Sequence, residues 1–169
     1  VIILQTERLL LREMTEADAE HLVRLGQNPN VTRYLPDTPP VGTEEAVRGL
    51  RTVVFPQYAN RIGRWAVILK DTGEFIGWCG LKHYADVNEY DLGYRYLEEH
   101  WGHGYATEAA RAVLQYGIEH LRGARIVGKA MVANAGSRRV LEKIGLAFES
   151  YVVQEDWGEV AVYALITPG

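Results

Sequence analysis

One cysteine in 169 residues, Cys79, leaves no partner for an internal disulfide and too little sulfur for a cysteine-built zinc site. A reducing cytoplasm is the compartment this suggests. No uncharged apolar run approaches the ~20 residues of a membrane-spanning helix. The opening Val1-Ile2-Ile3-Leu4 is cut short by Gln5, Thr6, Glu7 and Arg8, so no secretory leader is expected in this stretch. Positive charge is not in excess: 18 Lys and Arg stand against 22 Asp and Glu, a net charge of −4. Bulk attraction to a nucleic-acid backbone is therefore not expected. Internal repeats and low-complexity tracts are also missing. What is there is 47% hydrophobic and 24% charged, the composition of a globular chain. Its length, against ~150 residues per domain, predicts one domain over residues 1–169.

Read for period, Arg8 to Met14 is a leucine-rich strand, and Thr15 caps a helix whose acidic first turn leads on to about Gln27. Asn28-Pro29-Asn30 ends it. A second helix runs from Thr43 towards Pro56, after a loop through Pro36 and Pro40. Alternation then takes over. Trp65 to Leu69 and Glu74 to Leu81 form a hairpin around Asp71-Thr72-Gly73, and a strand from Tyr90 to Leu97 follows. The most regular helix comes next, with Ala106, Ala109, Ala110, Val113, Leu114, Gly117 and Leu121 at three- and four-residue steps. Arg125 to Val132 is a strand, and Asn134 to Lys143 a short helix stopped by Gly145. Phe148 to Glu155 and Val160 to Ile166 close the chain as a hairpin around Trp157-Gly158-Glu159. This order predicts an α/β (α+β) fold, a mixed and mostly antiparallel sheet flanked by helices. The strands on either side of the long helix form its parallel pair.

The chemistry concentrates in the Gly-rich turn Trp101-Gly102-His103-Gly104-Tyr105-Ala106-Thr107-Glu108, which joins a strand to the start of the long helix. Glycines let a backbone approach a ligand, and the free N–H groups of a helix start attract phosphate oxygens. The turn lacks the Gly-Lys-Ser/Thr ending of a P-loop. It lacks as well the third glycine and early placement of a dinucleotide fingerprint. What remains is a diphosphate cradle that needs neither metal nor lysine.

These residues resemble the acetyl-CoA diphosphate loop of the GNAT-superfamily N-acetyltransferases, in the branch that includes the ribosomal-protein N-terminal (Rim-type) acetyltransferases. Three further segments resemble that branch in order and spacing: Thr6 to Arg12, Asp91-Leu92-Gly93-Tyr94, and Asn134 to Gly145. The place where the superfamily loop usually has Arg or Gln is held by Trp101. The resemblance implies a single-domain GNAT-like fold and direct transfer of the acetyl group of acetyl-CoA to a primary amine, without a metal. A non-catalytic acyl-CoA-binding module is the alternative, and the chain would act as a monomer or homodimer. It also implies cofactor contacts from Tyr94, Tyr96, Trp101, Gly102, His103, Gly104, Tyr105, Ala106, Thr107, Asn134 and Ser137. The pantetheine arm would lie along the strand of Tyr94 and Tyr96, near a main-chain N–H that serves the thioester carbonyl.

Alternation puts Glu89 and Asp91 on one strand face, so either is a candidate general base, and His83 is a third. Ser137 is the family's frequent proton donor to the leaving thiolate, though tyrosine also serves. Asn134 caps the helix of Ser137 or binds a pantetheine amide, or does both. Cys79 reads as a buried structural residue rather than a nucleophile. An α-amine is ~3 kcal/mol easier to deprotonate at neutral pH than a lysine amine. A protein N-terminus is therefore the expected acceptor, with a small-molecule amine as the alternative.

Overall fold

The computed structural model describes residues 1–169. Strands β1 (Ile2–Gln5) and β2 (Leu9–Glu13) lead into helices α1 (Ala19–Gln27), α2 (Pro29–Thr32), α3 (Thr43–Gly49) and α4 (Phe55–Tyr58). Strands β3 (Arg64–Leu69), β4 (Phe75–Tyr84) and β5 (Glu89–Tyr96) follow. Helix α5 (Tyr105–His120), β6 (Arg125–Met131), α6 (Ala135–Lys143), β7 (Ala147–Gln154) and β8 (Gly158–Ile166) complete the order. All strands join one eight-stranded sheet, ordered β1-β2-β3-β4-β5-β6-β8-β7. Only β5 and β6 pair in parallel, and α5 is their crossover. No helix is long and apolar enough to cross a membrane.

The sheet is buried on both faces. Leu81, Leu92, Ile126 and Tyr163 pack with Ala109, Ala110 and Val113 of α5 and with Leu141 of α6. The small residues of the α5 stripe let that helix lie close to the strands. The other face carries Ala66, Phe75 and Leu97 against Leu25 of α1 and Ala46 of α3. Cys79 is fully buried, and burial pushes its thiol up to about 12. It is a core residue.

Several boundaries differ from the sequence reading. The apolar start at Ile2 is an edge strand, because it pairs with β2 across the Thr6-Glu7-Arg8 turn. Residues Glu16–Asp18 form a 3₁₀ turn before α1. Pro29 opens a further helical turn rather than only ending one, since Asn28 Oδ1 accepts from Asn30 N–H at 2.9 Å and proline suits a first helical position. The helix from Thr43 continues past Pro56 to Tyr58 through a π turn at Leu50–Val54, with Phe55 N–H bonded to the Leu50 carbonyl. Widening the turn accommodates a residue that cannot donate to the carbonyl four positions back.

One ion pair fixes the entry to α1. Asp18, almost fully buried, accepts from Arg12 Nη1 and Nη2 at 2.8 and 2.9 Å and from Thr15 N–H at 2.8 Å. Burial pushes its carboxyl upward, but these hydrogen bonds outweigh that and hold it below the usual aspartate range. The stabilisation is complete above the unfolded-state value of ~3.9 and is lost as pH falls through the lower folded value. Asp18→Asn is expected to lower stability by ~3 kcal/mol, since it strands a partly buried guanidinium. Urea denaturation at pH 7 measures it.

Candidate active site

The parallel ladder of β5 and β6 is short. Glu89, Tyr90 and Asp91 face Arg125, Ile126 and Val127, and past Asp91 β5 runs on without a partner on that side. Leu97 N–H donates to the Ile76 carbonyl of β4 at 2.9 Å. Along an antiparallel strand the direction of the peptide groups alternates, so residues 91, 93 and 95 bond β4, the Leu92 N–H closes the last rung of the ladder with β6, and the Leu92 carbonyl and the main-chain groups of Tyr94 and Tyr96 face the gap. The Tyr96 carbonyl fits this pattern: it accepts from Trp101 Nε1 at 2.9 Å across the mouth of the gap.

Next to this open edge lies the Gly-rich turn. Gly102 and Gly104 both have φ +81°, a left-handed conformation open to glycine at little cost. They turn the chain so that the N–H groups of residues 102 through 107 have no partner within the protein; Glu108 N–H, bonded to the Gly104 carbonyl, is the first to be satisfied. Successive unpaired donors at the positive end of a 16-residue helix form an anion cradle.

The cradle is anchored from behind. Glu108 accepts from Thr6 Oγ1 at 2.5 Å, Arg8 N–H at 3.0 Å and Arg8 Nε at 2.7 Å. Arg8 Nη1 also donates to the His103 carbonyl at 2.9 Å, and its guanidinium stacks on Tyr105. Partial burial pushes the Glu108 carboxyl upward, but the Thr6 and Arg8 hydrogen bonds leave it below the ordinary glutamate value. Its charge is thus neutralised by Arg8 beside a site for anions. No local pattern signals this contact, because its partners are about a hundred residues apart.

The gap opens into a cavity of about 1340 Å³. Of the expected cofactor contacts, Tyr94, Tyr96, Trp101, Gly102, Gly104, Tyr105, Ala106, Thr107, Asn134 and Ser137 line it. His103 does not: its ring stacks on Tyr105 and its Nδ1 lies 3.3 Å from the His100 carbonyl. Tyr96 contributes main chain only, as its side chain is buried in the core.

Across the gap, Tyr94 and Ser137 meet. The Tyr94 hydroxyl lies 2.8 Å from Ser137 Oγ and 3.3 Å from the Ser137 carbonyl. Removal from water pushes the phenol above the ordinary tyrosine value, with the Ser137 bond opposing, so Tyr94 keeps its proton at any physiological pH. Asn134 Oδ1 caps α6 by accepting from Ser137 N–H at 3.2 Å, while its Nδ2 has no partner in the chain.

The candidate bases are separated. Asp91 Oδ2 accepts from Arg64 Nη2 at 2.9 Å, and Arg64 Nη1 donates to the Asp91 and Gly80 carbonyls. Gly93 leaves the room for this, since a Cβ there would lie 2.8 Å from Arg64 Nη1. Glu89 Oε2 accepts from Arg125 Nε at 2.8 Å, closing the end of the parallel ladder. His83 pairs with Tyr90 on the opposite sheet face, stacks on that ring at 4.4 Å and holds Asn88 Oδ1 at 3.0 Å. It lies outside the cavity lining.

The remaining wall combines Trp78, Arg64 and Arg95 of the sheet with the loop after α2 and the tip of the β7–β8 hairpin. Trp78 carries the guanidinium groups of Arg64 and Arg95 stacked at 4.9 and 5.3 Å. Arg95 Nη1 and Nη2 donate to Asp37 at 3.1 and 2.9 Å. Trp157, from the β7–β8 hairpin, donates Nε1 to the Tyr34 carbonyl at 2.7 Å.

A sheet parted between parallel strands, with an anion cradle at the mouth of the gap, defines the class of CoA-dependent acetyltransferases. The chain belongs to the acetyltransferase (GNAT) domain family, which it matches over residues 8–147. It is 31% identical over 172 residues to an uncharacterized N-acetyltransferase, YoaA, of Bacillus subtilis, covering 98% of this chain and 97% of the relative. RimL, a ribosomal L7/L12 α-N-protein acetyltransferase solved with coenzyme A, superposes with TM-score 0.82 at 20% identity, covering 99% and 98% of the two chains. Spermidine N-acetyltransferase of Vibrio cholerae, solved with CoA and spermine, gives 0.80 at 20% identity, covering 96% and 97%. At that identity the two structures speak for the fold alone. The protein is a GNAT N-acetyltransferase.

Proposed function

We propose that the chain acetylates an α-amine, with acetyl-CoA held between β5 and α6. The observation that carries the cofactor half is the run of unpartnered N–H groups from 102 to 107 beside the open edge of β5. The cradle suits the diphosphate of CoA, and the free Leu92 carbonyl and Tyr94 main-chain groups suit the pantetheine amides, as an added strand would. Asn134 Nδ2 offers a further donor. When bound, acetyl-CoA supplies an acetyl group activated as a thioester. The Tyr94 N–H, turned towards the gap, would hold the carbonyl oxygen as charge develops on it, a contact worth ~3 kcal/mol in the transition state. The Tyr94–Ser137 hydroxyl pair holds a proton for the departing sulfur.

The acceptor half rests on the carboxylates. Asp91 and Glu89 are both engaged by arginines, and taking up a proton would cost each its ion pair. An amine already partly neutral near pH 7 asks least of such a site, and α-amines, with pKa ~7.7–8.0, meet that condition. The test measures CoA thiol release at pH 7 with two peptides, one with a free α-amine and blocked lysine, the other the reverse. The first is expected to be turned over faster. Preference for the ε-amine would overturn the reading, and turnover of neither would move the choice to small-molecule amines.

A further inference from the structure

We infer that Arg95 is the acceptor's anchor, a binding site for a carboxylate carried by the amine substrate, and that Asp37 occupies it in the free protein. The inference rests on the α-amine reading for the amine alone; the carboxylate subsite stands on its own geometry.

Arg64 and Arg95 both stack on Trp78, yet their counter-ions differ in kind. Arg64 is paired with Asp91 of β5 in the same sheet, and both side chains are largely buried, at 15% and 20% exposure. Arg95, at 18%, is paired with a side chain that is 52% exposed. That side chain, Asp37, sits in the irregular proline-bearing segment between α2 and α3 and is held by no other hydrogen bond. A two-pronged guanidinium–carboxylate pair is specific for the planar carboxylate shape. Exchanging Asp37 for another carboxylate therefore keeps every contact and strands no charge.

A second observation points to a ligand. Arg95 Nε is buried and has no hydrogen-bond partner. Buried donors are nearly always satisfied, and Asp37 reaches only the two Nη atoms. Asp37 therefore leaves one donor of a cavity-lining guanidinium unused, which a larger or differently seated carboxylate would engage.

The location fits an acceptor. Asp91, Gly93 and Arg95 share one face of β5, and at ~3.4 Å per residue each step along that face is about 7 Å. Arg95 is one step from Gly93, beside the open edge. An amine in the gap and a carboxylate on Arg95 are thus separated by about the span of an acidic N-terminal dipeptide. A polyamine, which brings a second cation, would meet Arg95 and Arg64 instead.

The experiment compares kcat/KM for matched pairs: alanine against alaninamide, Ala-Asp amide against Ala-Asn amide, and Nα-acetyl-lysine against its amide. In at least one pair the carboxylate member is expected to lead by tenfold or more. The lead falls to about one in Arg95→Gln, with the fold checked by circular dichroism. Asp37→Asn, on an exposed segment, is expected to lower KM several-fold for the carboxylate member and not for its amide. A lead in the first pair points to a free amino acid and in the second to a peptide. A lead confined to the lysine pair would defeat the α-amine reading while upholding the carboxylate site. Equal rates within all pairs, a lead that survives Arg95→Gln, or turnover of 1,4-diaminobutane alone would each overturn the inference.

Discussion

Tyr94→Phe is expected to lower kcat by about 100-fold, with the Kd for acetyl-CoA changed by no more than about threefold. General acid assistance is typically worth 10²–10⁴-fold, and the phenol, its pKa raised by removal from water, is the protonated member of the hydroxyl pair that bridges the gap. Ser137→Ala is expected to cost less, about tenfold, because Tyr94 retains its proton and the Ser137 carbonyl as a partner. Because the two hydroxyls bond each other at 2.8 Å, their losses overlap: the double variant should be little worse than Tyr94→Phe alone. Single-turnover kinetics of thiol release, with Kd from calorimetry, separate chemistry from binding. Additive losses would mean two independent roles. A collapse in thermal stability with kcat intact would leave the pair a structural tie between β5 and α6.

The largest effect on binding is expected from Gly104→Val, which should weaken CoA by about 100-fold in a chain that still folds. The physical reason differs from simple crowding of a phosphate. A Cβ at this position would meet only Arg8 Nη2 of the protein, at 3.5 Å, an ordinary contact. The cost lies in φ +81°, a region a β-branched residue adopts only under strain of ~1–3 kcal/mol. Relieving that strain rotates the peptide planes on either side and disperses the donors that converge on one anion. Gly104→Ala, with less strain, should weaken binding by about tenfold. Calorimetry with CoA measures both, and unchanged affinity in a folded Val variant would remove the turn from the cofactor site.

The alternating and helical periods of the sequence recover every strand but β1 and the long crossover helix, because apolar spacing reports the face an element buries. The cradle is legible for a related reason, since it is local: two glycines, a helix start and their neighbours lie within eight residues. The base is not. Glu89, Asp91 and His83 all look available along the chain. Arg64, Arg125 and Asn88 decide otherwise, and of these only Asn88 is near in sequence. Arg95 and Asp37 share no period or motif, and only the folding of the α2–α3 loop over β5 brings them together. The pairing of Tyr94 with Ser137 is hidden in the same way, across 43 residues and a crossover. The segment from Pro56 to Arg64 contributes only Arg64 to the cavity; Gln57 and Tyr58 instead bind main-chain groups of His83, Met14 and Arg64.

The short ladder between β5 and β6 makes the sheet two half-sheets with a narrow join. One is built from β1 to β5 and the other from β6 to β8, connected by the pairing at Glu89–Asp91, the Glu89–Arg125 ion pair and the helices above. A ligand lying along β5 and capped by α6 acts as a stitch between them. The Tyr94 amide, bare in the free protein, should then exchange with deuterium quickly until CoA is added and slowly afterwards. Melting temperature should climb with the logarithm of CoA concentration above its Kd. Part of this protein's resistance to unfolding therefore depends on the concentration of the compound it uses.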